Sequence, residues 1–316
     1  MRKIIAVGDL HGDIYRLIRV LSEQSVIDGN TLEWTVQAEN CDLVLLGDYV
    51  DWRGEPLEGP YQEWPLGPKK LVEFIYKLYQ DNAKLRQEKN FRGRFYPLLG
   101  NHEGMMLEGH EIMKRLSELK NKPLQSFQTA SAWVDSFVRE QLSLKEEEDL
   151  MHFLNWYEQG GDKTIQSFGG LPLWFQAVEG EIGIFLRGLP LGVVVNEKLF
   201  CHSVPDEKTC WIPIHKQVLS EDSVGKKIRE QFLWGRKLWG YDAFLGAPTK
   251  PFTESEVDEM LGKMEVKAVL VGHTSLHREK PYFLYGGKII NLDTHGIPGS
   301  QAYIEEYEEM VQKTER

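Results

Sequence analysis

The sequence is poor in cysteine, holding only Cys41, Cys201 and Cys210 among 316 residues. Three thiols cannot all pair within one chain, and no CxxC or other zinc-knuckle spacing occurs, so a disulfide framework and a structural thiolate zinc site are both excluded. A reducing compartment is expected. No apolar run is long enough to span a bilayer. The opening residues, MRKIIAVGDLHG, pass from two basic residues straight into a short apolar segment, leaving no room for a secretory signal. These absences predict a cytoplasmic protein that does not engage a membrane. Positive charge is also short: 37 Lys and Arg against 48 Asp and Glu give a net charge of -11, which argues against a nucleic-acid surface. An anionic ligand would therefore have to be attracted by something local, and bound metal ions are such a source.

What the sequence does contain is enough apolar material, 41% of residues, to bury a large core. The expectation is one domain over 1–316, with a helical insert at about 105–158. Short β-rich apolar runs recur at Lys3 to Val7, Asp42 to Leu46, Phe95 to Leu99, Leu199 to Cys201, Ala268 to Val271 and Ile289 to Leu292, several followed at once by Gly and polar residues. Between the first two, Asp13 can cap a helix that places Ile14, Leu17, Ile18 and Leu21 on one face. This is a βαβ opening, and in open α/β sheets reactive groups collect beyond the carboxyl ends of the strands. The stretch EPLEGPYQEWPLGP reads as loop and leads into a helix around Lys70 to Leu85. The segment from about Met105 to Glu158 is rich in helix formers, is broken near Asn121 to Pro123, and reads as a helical cap after the third strand.

The polar clusters at the strand ends carry the chemistry. GDLHG puts Asp9 and His11 two residues apart on the turn leaving the first strand, with glycines that let the backbone turn sharply. Alone, it reads equally as an ordinary strand-to-helix turn. GDYVDWRG then supplies Asp48 and Asp51, GNHE supplies Asn101 and His102, FCHS supplies His202, and VGHT supplies His273. Oxygen and imidazole donors without thiolates suit manganese, iron or zinc in five- or six-coordinate sites better than a tetrahedral structural zinc. Alternation along the strand points Cys201 away from His202 and into the core.

Together these motifs, in this order over nearly the whole chain, resemble the calcineurin-like metallophosphoesterases, and within them the phosphoprotein phosphatase branch that includes Ser/Thr protein phosphatases. The resemblance implies an α/β fold, a four-layer αββα sandwich of two mixed sheets flanked by helices, with a helical cap insertion. Branches similar to nucleases carry a second His two residues after the GH histidine, where this chain has Ser275; purple acid phosphatases place a Tyr three residues after the second Asp, where Asp51 stands. GGDKTIQSFG, the LPL at Leu189 to Leu191, and LWGR at Leu233 to Arg236 look like bacterial members of the phosphoprotein phosphatase branch.

By that resemblance Asp9, His11 and Asp48 bind one divalent ion while Asp48, Asn101, His202 and His273 bind a second, so that Asp48 bridges. Manganese is the expected metal, with iron, zinc or cobalt as alternatives. Two metals about 3.5–4 Å apart can share a water, lower its pKa and direct the resulting hydroxide at phosphorus in line with the leaving group. His102 is the implied general acid, with Asp51 holding its ring. Arg53, Arg236 and Asn101 are the implied phosphate contacts. The pattern is broken at one point: Trp52 stands directly after Asp51, where the family usually has Arg, and Arg53 follows one later. His110, His152, His215, His277 and His295 fall outside the motifs and are expected to be surface or structural, His295 in a turn. Trp234, Trp239, Tyr241 and Phe244 are candidates for a substrate groove or for core packing. The implied substrate is a phosphorylated protein. A dinucleoside polyphosphate or other small phosphoester is the alternative, GNHE rather than GNHD favouring the former, and an inactive metal-binding scaffold is a third reading. Oligomeric state is left open by the sequence.

Overall fold

The computed structural model describes residues 1–138, 140–216 and 223–309. Strands β1 (Arg2–Val7), β2 (Cys41–Leu45), β3 (Arg94–Pro97), β4 (Gly192–Val195), β5 (Lys198–Cys201), β6 (Tyr241–Asp242), β7 (Ala247–Pro248), β8 (Ala268–Val271), β9 (Tyr282–Leu284), β10 (Ile289–Asn291) and β11 (Tyr303–Tyr307) follow in chain order. They form a four-stranded mixed sheet, β11-β1-β2-β3, a five-stranded mixed sheet, β4-β5-β8-β10-β9, and the short β6-β7 pair. All six strands read from the sequence are present, within two residues at each end.

Period-two alternation assigns the layers. Ile4, Ala6, Val44 and Leu46 from the first sheet meet Phe200, Leu270, Ile290 and Leu292 from the second in one buried cluster. Their alternates, Ile5, Val7, Leu43, Leu45, Leu199, Cys201, Val269 and Val271, pack outward with helical residues. The order is therefore helices, sheet, sheet, helices, as the family resemblance implies, and Cys201 is buried on the helix-facing side of its sheet.

Helix α1 (Ile14–Glu23) is capped by Asp13, whose Oδ1 accepts the Arg16 backbone N–H at 3.0 Å. Its expected apolar face is joined by the fully buried Arg16, whose guanidinium donates to the Asp9 carbonyl and to Thr294 Oγ1. Helix α2 (Gly67–Lys89) starts three residues earlier than expected, with Pro68 in its first turn, and ends on Asn90 in the left-handed conformation. The loop before it contains one tight helical turn at Tyr61–Leu66. After β3 comes α3 (Asn101–Leu119), then shorter helices at Ala130–Asp135, Leu144–Trp156, Asp162–Ser167, Leu171–Glu179 and Glu181–Arg187, before the chain re-enters a sheet at β4. No helix among the described residues is long and apolar enough to cross a membrane.

The parallel pairs place the site. Val7 lies opposite Leu45, Leu45 opposite Pro97, Phe200 opposite Leu270 and Val271 opposite Asn291. The turns that leave β1, β2, β3, β5, β8 and β10 therefore emerge at one end of the stacked sheets.

The other end is tied by a buried ion pair. Arg2 Nε and Nη2 donate to the two oxygens of Asp42 at 2.9 and 2.8 Å, and the Tyr307 hydroxyl donates to Asp42 Oδ2 at 2.6 Å, linking β1, β2 and β11. Removing one partner leaves an uncompensated buried charge, so Asp42→Ala should cost about 3–5 kcal/mol in urea unfolding, against about 1 kcal/mol for Tyr307→Phe. A loss below that of Tyr307→Phe would show the pair to be dispensable.

Candidate metal centre

The loops leaving β1 and β2 are stitched together by backbone bonds: Leu10 and His11 N–H donate to the Asp48 carbonyl at 3.0 and 2.8 Å, and Gly12 N–H donates to that of Tyr49 at 2.9 Å. Helix α3 fixes the second loop through Glu103 at its third position. One carboxylate of Glu103 accepts the backbone N–H groups of Asp48, Tyr49, Val50 and Gly100 at 2.7–3.2 Å. Burial and the neighbouring Asp48 charge push this carboxyl up to about 7, against those donors. Glycine is required where the loops touch. A Cβ on Gly272 would lie 2.1 Å from Asp9 Oδ1, and one on Gly100 would lie 2.2 Å from Asp48 Oδ1. His11, Asp48, Asp51 and His273 all adopt left-handed backbone, with φ of 43°, 55°, 65° and 67°. Such conformations cost roughly 1–3 kcal/mol each and persist where surrounding contacts over-determine them.

Asp9, His11, Asp48, Asn101, His202 and His273 converge and are all buried. Asp48 Oδ2 is 3.6 Å from His11 Nε2, 3.4 Å from His202 Nε2 and 4.0 Å from His102 Nε2. Two donor groups share it: His11 with Asp48 and His102, and Asp48 with His202 and His273. Asn101 Oδ1 stands 2.7 Å from His202 Nε2 and 2.9 Å from His273 Nδ1. Both Asp9 oxygens accept the His273 backbone N–H, at 3.1 and 3.0 Å.

The donor set suits divalent cations on its own chemistry. His11 Nδ1 donates to the Val50 carbonyl and His202 Nδ1 to that of Leu46, each at 2.9 Å, which fixes the tautomers and leaves Nε2 on the ligand side. The lone pairs of His202 Nε2, Asn101 Oδ1 and Asp48 Oδ2 then face one another, an arrangement that needs positive charge among them. Without a metal a proton fills that role: burial opposes it, but Asp48 raises His202 to about 10. Asp48 is held well below the carboxylate range by His202, His102 and His11 despite its burial. Asp9 is pushed well above it by burial and by Asp293. His11 and His273 are driven well below 6.5 by burial and neighbouring cationic rings, so both are neutral and able to ligate.

His102 Nδ1 donates to Asp51 Oδ2 at 2.9 Å. Asp51 is held from the helical region: Trp156 Nε1 donates to Oδ2 at 2.7 Å and Thr164 Oγ1 to Oδ1 at 2.6 Å. Burial alone would lower His102, but Asp48 and Asp51 raise it above 6.5. The two arginines differ in placement. Arg236 Nε donates to His273 Nε2 at 2.9 Å, whereas the Arg53 side chain is 40% exposed and paired with Glu55 at 3.2 Å. Trp52 is buried, packs edge-on against Trp64, and donates Nε1 to the Glu55 carbonyl at 2.8 Å. A cavity of about 440 Å³ lies between Met105 on α3 and Trp234, whose ring meets that of His273 at 5.9 Å.

Sequence reasoning missed the supports of Asp51, Trp156 and Thr164, and the loop clamp Glu103. It also left out Asp293 and expected His295 only as a turn residue, whereas the His295 ring lies 4.7 Å from that of His11. Burial lowers His295, but its bond to Asp293 prevails and raises it to about 9. The only sequence signal for these two was a polar cluster, DTHG, at yet another strand end. His110 is buried, and His152, His215 and His277 are exposed; none of the four belongs to the donor groups found among the described residues.

A family model described as calcineurin-like phosphoesterase matches residues 2–277. The chain is 25% identical over 179 residues to Shewanella-like protein phosphatase 2 of Arabidopsis thaliana, a match covering 57% of this chain and 36% of that protein. It is 35% identical over 108 residues to Shewanella-like protein phosphatase 1 of Plasmodium berghei (strain Anka), covering 34% and 24%. The matches thus span about a third or less of those relatives. Among solved structures, a cold-active protein tyrosine phosphatase superposes with a TM-score of 0.53 at 21% identity, covering 96% of this chain and 73% of that one. A cold-active protein-tyrosine phosphatase of a psychrophilic Shewanella species gives 0.50 at 21%, covering 96% and 74%. That likeness is one of fold. The family match, spanning most of the chain and every one of the converging loops up to His273, makes this chain a member of the calcineurin-like phosphoesterase family.

Proposed function

We propose that the chain is a dinuclear phosphomonoesterase of the Ser/Thr protein phosphatase type. The observation that carries this reading is the shared Asp48 Oδ2, within 3.6 Å of His11 Nε2 on one side and 3.4 Å of His202 Nε2 on the other. Asp9, His11 and Asp48 would hold one divalent ion, most suitably manganese, and Asp48, Asn101, His202 and His273 the second. Bound there, the ions would supply Lewis acidity toward the phosphate oxygens and an acidified water for direct attack.

The chain's own residues do the rest. His102, held by Asp51, gives its Nε2 proton to the leaving oxygen. Arg236 is the inner guanidinium for the transferring phosphoryl group, with Asn101 beside it. When His273 offers Nδ1 as a ligand, its proton must sit on Nε2; this displaces the Arg236 donor and frees it for a phosphate oxygen. Arg53 would serve as a second cation on leaving Glu55. We also propose a single domain over 1–316, a capping role for the helical segment at about 105–158, and a cytoplasmic setting. The substrate is a phosphorylated protein. The names of the Shewanella-like relatives support that class, and the cavity beside Trp234 gives room for a side chain. Diadenosine tetraphosphate and phosphotyrosyl peptides are the comparison substrates, and preferred turnover of either over phosphoseryl and phosphothreonyl peptides would redirect the assignment.

Two outcomes are expected. Thorough chelation should abolish p-nitrophenyl phosphate turnover and added Mn²⁺ should restore it; Asp48→Asn should be inactive, and His102→Asn should lose about 100- to 10,000-fold in kcat. Undiminished turnover after chelation would end the dinuclear reading. His102 must be protonated to act as an acid, and Asp51 helps raise its pKa, so activity falls as pH rises through that value. In Asp51→Asn the alkaline limb of the kcat/KM profile should move to lower pH, and an unmoved limb would remove His102 from the role.

A further inference from the structure

The turn after β10 carries a group that the family motifs do not reach. A ring nitrogen of His295, one of His11 and a carboxylate oxygen of Asp9 all lie within 4.8 Å of one another. This third donor group shares His11 with the group of Asp48 and His102 and no residue with that of His202 and His273. His295 Nδ1 donates to Asp293 Oδ1 at 2.6 Å, which leaves Nε2 without a hydrogen-bond partner among the described residues. Asp293 is a fixed support: it is 2% exposed, and its backbone N–H donates to Asn291 Oδ1 at 2.6 Å. Its second oxygen, Oδ2, is buried with no partner among the described residues, so the carboxylate's charge is only half answered by the imidazole.

A carboxylate that takes the proton of one ring nitrogen fixes the tautomer and raises the basicity of the other, which is how ligating histidines are commonly oriented. The two ion positions proposed above are unequal, with three side chains for one and four for the other. The residue two past His273 does not make up the difference, because Ser275 brings no ring nitrogen and its hydroxyl accepts the His277 backbone N–H at 3.4 Å. We infer that His295, oriented by Asp293, is a fourth protein ligand of the ion held by Asp9, His11 and Asp48. The inference rests on the dinuclear reading. Four protein donors on each ion leave a five- or six-coordinate metal only one or two positions for water and substrate.

The test is Mn²⁺ binding to the chelator-stripped full chain, followed by calorimetry and equilibrium dialysis. Wild type should bind two ions. His295→Ala should weaken one of them about 10-fold or more and leave the other unchanged. Asp293→Asn should act in the same direction to a smaller extent, and metal-free melting temperatures control for folding. A two-ion isotherm in both variants identical to wild type would overturn the assignment. So would a raised KM with unaltered ion binding, which would mark His295 as a phosphate contact. Wild type binding at most one ion would instead overturn the dinuclear reading itself, a result distinct from unchanged binding in His295→Ala alone.

Discussion

Asp48 is a buried carboxylate on a left-handed backbone, confined with Asp9 and the rings of His11, His102 and His202. Negative charge in that setting is tolerable only with matching positive charge. In the protein alone the match comes from protons: His202 is raised to about 10, and Asp9 is forced toward its neutral form. Divalent cations answer the same need without protonating the donors. Much of the surrounding structure can be understood as holding these groups close against their repulsion. The Glu103 carboxylate gathers the Asp48 loop, Gly100 and Gly272 permit approaches that any Cβ would block, and the sheet register brings the loops to one end.

The helical region after β3 supports the site from behind Asp51. Trp156 and Thr164 reach Asp51 from helices well separated in sequence from it, and Asp51 in turn orients His102. The ring that would protonate the leaving group is thus positioned by the very segment that borders the site. Trp52, directly after Asp51, has a structural use as well. Its ring packs against Trp64 while Arg53 pairs with Glu55, and it is Arg236 whose guanidinium meets the His273 ring.

Much of this was legible from local pattern. Core strands announce themselves because burial on both faces demands continuous apolar runs, and Asp13 announces α1 because a helix start needs an acceptor. The edge strands escaped notice: β11, YIEEY, shows alternate residues to solvent and pairs with β1 from some 300 positions away, a contact no local window contains. The buried Arg16 was hidden for the same reason, since its partners, the Asp9 carbonyl and Thr294, come from opposite ends of the chain.

The sequence by itself determined which residue types stand at the strand ends and in what order, because side-chain chemistry and the glycines that permit tight turns are local properties. It thereby determined the family and the six converging donors. Only the tertiary structure decided which donors share an oxygen, which ring nitrogen faces inward, that Arg53 faces Glu55 while Arg236 meets His273, and that His295 stands against His11. Those are relations between loops as far apart in sequence as His11 and His295, set by sheet register and packing, and a one-dimensional pattern holds no distances.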